Sequence, residues 1–141
     1  MQQIKQKIKI KIMYILKIIL FMHLSLYAFA CSNNNTKHIA YYFHPTTRCQ
    51  SCLNLESYMK ELIDTKFNED GFHFEEVNIE EKENEHYKKD FDLQFSSVIL
   101  VKFENDKQIK WKNLDSVWSY TNDKEKFFNY VEQEITDFRN N

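Results

Sequence analysis

Two cysteines separated by two residues, Cys49 and Cys52, are the feature that most constrains this chain. They follow the apolar run 39–43 and open a segment with helical periodicity. A strand that leads into a helix would place the first thiol among unpaired backbone N–H groups, where the helix dipole favours a thiolate. The chain has no second C-x-x-C, and no H-x3-5-H follows the cysteines to complete a zinc finger. We therefore expect a redox or thiol-ligand site, with a structural disulfide as the alternative.

The first 30 residues have the features of an export signal. They contain five lysines and no acidic residue, and their apolar stretch ends in Ala28-Phe29-Ala30. A membrane-spanning helix needs about 20 apolar residues, and Lys17 interrupts this stretch. We interpret residues 1–30 as a lipoprotein-type signal peptide, residues 31–37 as a polar tether and residues 38–141 as one domain.

Cys31 directly follows this signal, as the acylated cysteine of a bacterial lipoprotein does. We expect an exported, membrane-tethered lipoprotein that faces the cell envelope or periplasm and contacts the membrane through a lipid anchor on Cys31. A secreted protein with an odd cysteine and an uncleaved signal anchor are the alternatives. If Cys31 is acylated, Cys49 and Cys52 are the remaining thiols, and the pair fits an oxidising compartment.

The charge and the glycine content exclude several classes of protein. Without the five signal lysines the chain keeps 14 basic and 21 acidic residues, a net charge of −7, so we expect no nucleic-acid partner. A single glycine cannot build a glycine-rich phosphate cradle, and we expect no cofactor on this chain.

Hydrophobic periodicity predicts four strands and three helices. Gly71 is expected to be a left-handed C-cap or turn residue after the first helix, and Thr121-Asn122-Asp123 is expected to cap the last one. The predicted strands are 38–44, 72–79, 98–103 and 108–111. One helix is predicted to begin near 52, a second to cover 80–91 and a third to begin near 124, and 111–120 is a short helix or a loop. The order β-α-β-α-β-β-α predicts an α/β domain with a four-stranded mixed sheet and helices on both faces, the plan of the thioredoxin-like fold.

The chain resembles the thioredoxin superfamily over residues 38–138, and more narrowly the small exported proteins named as ArsF-type nitroreductase subunits. The segment that carries the resemblance is Tyr41-Tyr42-Phe43-His44-Pro45-Thr46-Thr47-Arg48-Cys49-Gln50-Ser51-Cys52, followed by Asn84-Glu85-His86-Tyr87 and Trp111-Lys112-Asn113-Leu114. The resemblance implies that Cys49 is the exposed nucleophile and that Cys52 resolves the mixed disulfide. It also implies a disulfide-bearing protein as the partner.

The sequence departs from the superfamily pattern at three places. Ser96 and Ser97 stand where a cis-proline is usual, and we assign them to substrate binding. The buried acid that often lies beneath the second cysteine is missing from the first strand, where Phe43 lies nearest. Arg48 replaces the usual aromatic residue; it either favours the Cys49 thiolate, which would give it a catalytic role, or points into solvent.

These observations leave three functions open. The leading one is a thiol-disulfide oxidoreductase that acts through Cys49 and Cys52. The second is a dithiol that binds a soft metal or trivalent arsenic, with His44 as a third ligand. His44 could instead carry protons or simply contact water at the strand end. The third is an accessory subunit of a reductase with a structural disulfide.

Overall fold

The structure is a computed structural model, and it describes residues 6, 7, 9, 11, 13–15, 17 and 35–140. Two compact units are distinguished, Met1–Asn34 and Asn35–Asn141. The residues described in the first unit are helical. Most of the predicted signal peptide, and Cys31 itself, lie outside the described residues. Within the part of the chain that is described, no helix is both long and apolar enough to cross a bilayer.

The second unit is an α/β domain with four strands and three α-helices. In chain order the elements are β1 (Thr36–His44), α1 (Gln50–Leu62), β2 (Phe72–Asn78), α2 (His86–Asp90), β3 (Ser97–Glu104), β4 (Lys107–Asn113) and α3 (Lys124–Asn140). A π-helical turn extends α1 over Ile63–Phe67, and 3-10 turns occupy Lys82–Asn84 and Asp115–Tyr120. The predicted element order is confirmed, and the stretch 111–120 contains the tail of β4 and a 3-10 turn.

The sheet is mixed, with the strand order β2-β1-β3-β4. β1 pairs in parallel with β2 and antiparallel with β3, and β3 pairs antiparallel with β4. β1 begins two residues earlier than predicted, because Thr36 and Lys37 pair with Glu104 and Phe103. The end of the segment interpreted as a tether is therefore part of the sheet.

Helices cover both faces of this sheet, as predicted. Alternate residues of β1 point to opposite faces, so Ala40 and Tyr42 pack on one side and Tyr41 and Phe43 on the other. The first face carries α1 and α3, which bury the core side chains Leu55, Met59, Leu62, Phe127, Val131, Ile135 and Phe138. The second face carries α2 and the loop after it, through Tyr87, Phe91 and Leu93.

The second helix is much shorter than the prediction for residues 80–91. The side chains of Asn78 and Asn84 explain the difference. Asn78 Oδ1 accepts the backbone N–H of Glu80 at 3.0 Å, and Asn84 Nδ2 donates to the carbonyl of Asn78 at 3.0 Å. Such side-chain bonds offer the backbone an alternative to helix, so only the five residues of α2 are α-helical.

One predicted turn residue and one predicted helix cap are confirmed. Gly71 has φ = +80°, the left-handed conformation that glycine adopts without strain. Asp123 caps α3, because its Oδ1 accepts the backbone N–H of Lys126 at 3.1 Å. Gly71 marks the turn that leads into β2, and Asp123 marks the start of α3.

Candidate functional site

Cys49 occupies the N-cap of α1, directly after the loop that leaves β1. Its backbone is extended, and its carbonyl accepts the N–H of Leu53 at 3.1 Å, which is the first bond of the helix. Its Sγ accepts the backbone N–H of Cys52 at 3.2 Å. The first sulfur thus lies at the positive end of the helix, as the sequence predicts.

The two cysteines form a disulfide, with their Cα atoms 5.0 Å apart. They differ in their access to solvent. Cys49 is exposed, whereas Cys52 lies one turn into α1 with an exposed fraction of 9%. A partner molecule can reach the first sulfur, and the protein shields the second.

Arg48 does not point into solvent, which excludes that interpretation of its side chain. Its Nη1 donates to Glu56 Oε2, and its Nη2 donates to Glu76 Oε1 and to His44 Nε2, the last at 2.8 Å. The guanidinium therefore links the loop to α1, to β2 and to the end of β1. We call Arg48, Glu56, Glu76 and His44 the arginine cluster.

The charges of the arginine cluster perturb one another. Burial raises the pKa of Glu76, but the hydrogen bond and charge of Arg48 outweigh it and hold that pKa below its usual value. Burial lowers the pKa of Arg48, but its bonds to Glu76 and Glu56 outweigh this effect and raise it. The carboxylates of Glu56 and Glu76 offset the positive charge of Arg48. How strongly Arg48 favours a thiolate at Cys49 therefore depends on both carboxylates.

His44 is buried, with an exposed fraction of 2%, so the interpretation as a water-exposed strand end is wrong. Its ring lies on the same face of β1 as Tyr42, whose ring centroid is 5.4 Å away. Its Nδ1 lies 2.8 Å from the carbonyl oxygen of Pro45, and its Nε2 lies 3.0 Å from Glu76 Oε1. Both ring nitrogens are thus engaged by protein groups.

The arrangement does not assemble the alternative metal site from Cys49, Cys52 and His44. No group of three metal-ligating side chains occurs among the residues that the structure describes. A soft ion would therefore have the two thiols of the reduced pair as its protein ligands, with His44 held elsewhere.

The loop that carries the cysteines is tied to the segment after β2. The backbone N–H of Thr46 donates to Glu80 Oε2 at 3.0 Å, and Asn78 Nδ2 donates to Thr46 Oγ1 at 3.1 Å. The N–H of Ile79 donates to the carbonyl of His44 at 2.9 Å. These bonds hold the start of the loop against the sheet, so the position of Cys49 is determined from both sides.

Ser96 and Ser97 lie at the start of β3, beside the end of β1. Ser97 pairs with Phe43 in the sheet. Tyr42, the neighbour of Phe43 in β1, is fully buried. Burial raises the pKa of Tyr42 to about 12, and the Arg48 charge opposes that rise.

Two clefts meet at Ser96. One, of about 360 Å³, is lined by Pro45, Ile79, Glu80, Lys88, Gln94, Phe95 and Ser96. The other, of about 270 Å³, is lined by Asp92, Gln94, Phe95, Ser96, Ser97, Asn113, Asp115 and Trp118. Gln94, Phe95 and Ser96 line both clefts, and Phe95 has an exposed fraction of 78%.

Glu56 and Glu76 are site residues that the sequence analysis did not identify. Glu56 could have been found, because a residue four positions after Cys52 on a helix lies on the same face. Glu76 gave no signal, since it comes from β2 and reaches the cluster only through the parallel pairing with Tyr42.

Comparisons with known proteins do not assign a family. No protein-family model matches the chain, and no curated protein matches it. A solved structure described as "Structure of a malarial protein" is 20% identical and covers 55% of this chain and 80% of its own, with a TM-score of 0.39. A similarity this low carries no argument about fold or function.

Proposed function

We propose that the protein is a thioredoxin-like thiol-disulfide oxidoreductase in which Cys49 attacks a disulfide of a partner protein and Cys52 releases it. The observation that carries the proposal is the asymmetry of the pair. Cys49 is the exposed N-cap of α1, and Cys52 is buried one turn inside the helix. The order of the elements and the sheet order β2-β1-β3-β4 support the thioredoxin-like assignment.

The chemistry follows from the position of the first sulfur. In the reduced protein the Cys49 thiolate accepts the N–H of Cys52 and faces the helix N-terminus, which stabilises its charge. It attacks one sulfur of the partner disulfide, and the other partner sulfur leaves as a thiolate. The Cys52 sulfur then attacks Cys49, which restores the internal disulfide and frees the second partner thiolate.

Export and attachment to the membrane are also part of the proposal, and only the sequence supports them. The basic, apolar amino terminus that ends in Ala28-Phe29-Ala30-Cys31 supports export and a lipid anchor on Cys31. Incorporation of a labelled fatty acid into the parent chain, but not into Cys31→Ala, would support the anchor. Equal labelling of the two would exclude it.

Single cysteine variants test the catalytic roles. We expect Cys49→Ser to lose disulfide reductase activity, and Cys52→Ser to accumulate a mixed disulfide with the partner on Cys49. The insulin disulfide assay measures the first, and non-reducing electrophoresis measures the second. Parent-level activity in Cys49→Ser would exclude the proposed function.

The reduction potential of the Cys49–Cys52 pair distinguishes the structural-disulfide alternative from the proposed function. Structural bridges have reduction potentials below about −300 mV, whereas a cycling pair lies higher. Equilibration of the full chain with dithiol redox buffers measures this value. A potential below about −300 mV together with an inactive parent would favour the accessory-subunit alternative.

A further inference from the structure

Carboxylates outnumber cations around the cysteine loop. Arg48 is bonded to two of them, Glu56 on α1 and Glu76 on β2. Glu80 is a third, bonded to the N–H of Thr46 within the loop. The helix dipole and Arg48 favour negative charge at Cys49, so the surrounding acids oppose these two effects.

Glu56 is the acid nearest to the cysteines along α1. It follows Cys52 by four residues, and side chains with this spacing lie on the same helix face with Cβ atoms about 5–6 Å apart. The carboxylate of Glu56 accepts a hydrogen bond from Arg48, the residue directly before Cys49.

Arg48 directly precedes Cys49, and its two terminal nitrogens each donate to a carboxylate. Nη1 donates to Glu56 and Nη2 donates to Glu76. The positive charge of Arg48 is therefore shared between two anions and is not directed at Cys49 alone.

We propose, building on the oxidoreductase function above, that Glu56 and Glu76 oppose the Cys49 thiolate and shift the equilibrium of this dithiol toward donation of electrons to partner disulfides. The disulfide form of a dithiol protein is a strong oxidant when the thiolate of its reduced form is well stabilised. The carboxylates of the arginine cluster have the opposite effect, because their negative charge opposes the Cys49 thiolate. The reduced form is then less stable relative to the disulfide, which favours transfer of its electrons to the partner.

The overall reaction balances in electrons and protons. The Cys49–Cys52 dithiol loses two electrons and two protons as its disulfide forms, and the partner disulfide gains them as two thiols. A turnover then requires re-reduction of Cys49–Cys52. We assign this step to a second dithiol of lower potential, so the protein would lie between a dithiol donor and a disulfide acceptor.

Charge-neutralising variants of the full-length chain test this inference. The equilibrium between the parent dithiol and the glutathione pair is measured at pH 8.5, where thiolate is populated. We expect Glu56→Gln and Glu76→Gln each to shift the equilibrium toward the reduced protein. At an effective dielectric constant of about 40–80, removal of one nearby charge is expected to change the equilibrium by about two- to sixfold.

Two further variants complete the test. Arg48→Met removes the cation and is expected to shift the equilibrium in the opposite direction, toward the disulfide. Glu61→Gln is the matched control, since Glu61 lies on the same helix and pairs with Lys124 away from the cluster. Glu56→Gln and Glu76→Gln values equal to that of Glu61→Gln, or shifts in the direction of Arg48→Met, would overturn the inference.

The outcome is separable from that of the proposed function. If Cys49→Ser retains activity, the oxidoreductase proposal fails whatever the carboxylates do. If the parent reduces disulfides but the two glutamine variants leave its equilibrium unchanged, only the role of Glu56 and Glu76 fails.

Discussion

Replacement of Arg48 by methionine is the perturbation that most directly tests the packing of the site. Arg48→Met keeps the apolar stem of the side chain but leaves Glu56 and Glu76 without their cation. The side chains of Arg48, Glu56 and Glu76 are 21%, 22% and 39% exposed, so this is neither a surface pair nor a fully buried one.

The magnitude follows from that intermediate burial. Exposed ion pairs contribute about 0–1 kcal/mol, whereas removal of one partner from a buried pair costs about 3–5 kcal/mol. We expect Arg48→Met to lower the free energy of unfolding by about 2–3 kcal/mol, between these two limits. Most of the loss comes from the carboxylates left behind, so the additional changes Glu56→Gln and Glu76→Gln should restore part of it.

Urea denaturation of the oxidised chain, followed by circular dichroism, measures this change. Lys124→Met is the control, because Lys124 pairs with Glu61 on α1 and both side chains are 45% exposed. It should cost less than about 1 kcal/mol. If Arg48→Met were no more destabilising than Lys124→Met, the arginine cluster would not hold the loop, and the reasoning would be refuted.

Three further predictions concern the fold and its pH dependence. Met59 is fully buried beneath the sheet, so Met59→Ala should lower the free energy of unfolding by about 2–5 kcal/mol. Ser57 is exposed on the same helix, so Ser57→Ala should change this free energy little. Similar values for the two variants would contradict the assigned buried face of α1. A Cβ at Gly71 would meet nothing within 4 Å, so Gly71→Ala adds no steric clash and only the backbone strain of φ = +80°. We expect it to lower the free energy of unfolding, measured by thermal unfolding, by about 1–2 kcal/mol. An unchanged free energy would argue against the left-handed conformation. Since Arg48 holds the pKa of Glu76 below its usual value, the stability this acid contributes should be fully present above about pH 4.3 and lost as pH falls through the lower folded pKa. The difference in unfolding free energy between the parent and Glu76→Gln, measured from pH 7 to pH 3, should shrink accordingly, and a difference that grows toward low pH would reverse the assigned sign.

Local signals explain why much of the fold was predictable. Leu55, Met59 and Leu62 recur at helical spacing and are all buried on one side of α1. Gly71 and Asp123 have side-chain chemistry that suits one backbone conformation or one cap, and each occupies the expected position. Such residues specify structure with their near neighbours in sequence, so their effect can be judged without tertiary contacts.

The parts of the site that the sequence did not predict depend on residues far apart in the chain. Arg48 was considered only with its neighbour Cys49, because nothing in the sequence shows that Glu76 on β2 comes within reach. Contact with water was one of the roles considered for His44, but the ion pairs around it cover its ring. Burial of a polar residue is set by its partners, and these partners meet only after β1 and β2 pair.

The central claim is that Cys49 is the accessible, reactive sulfur of the pair. Its most direct test is competitive alkylation of the fully reduced chain with limiting iodoacetamide at pH 7, read out by peptide mass spectrometry. The account predicts that Cys49 carries most of the label, because its sulfur is exposed at the helix N-terminus while Cys52 is buried. Equal labelling, or faster labelling of Cys52, would contradict it.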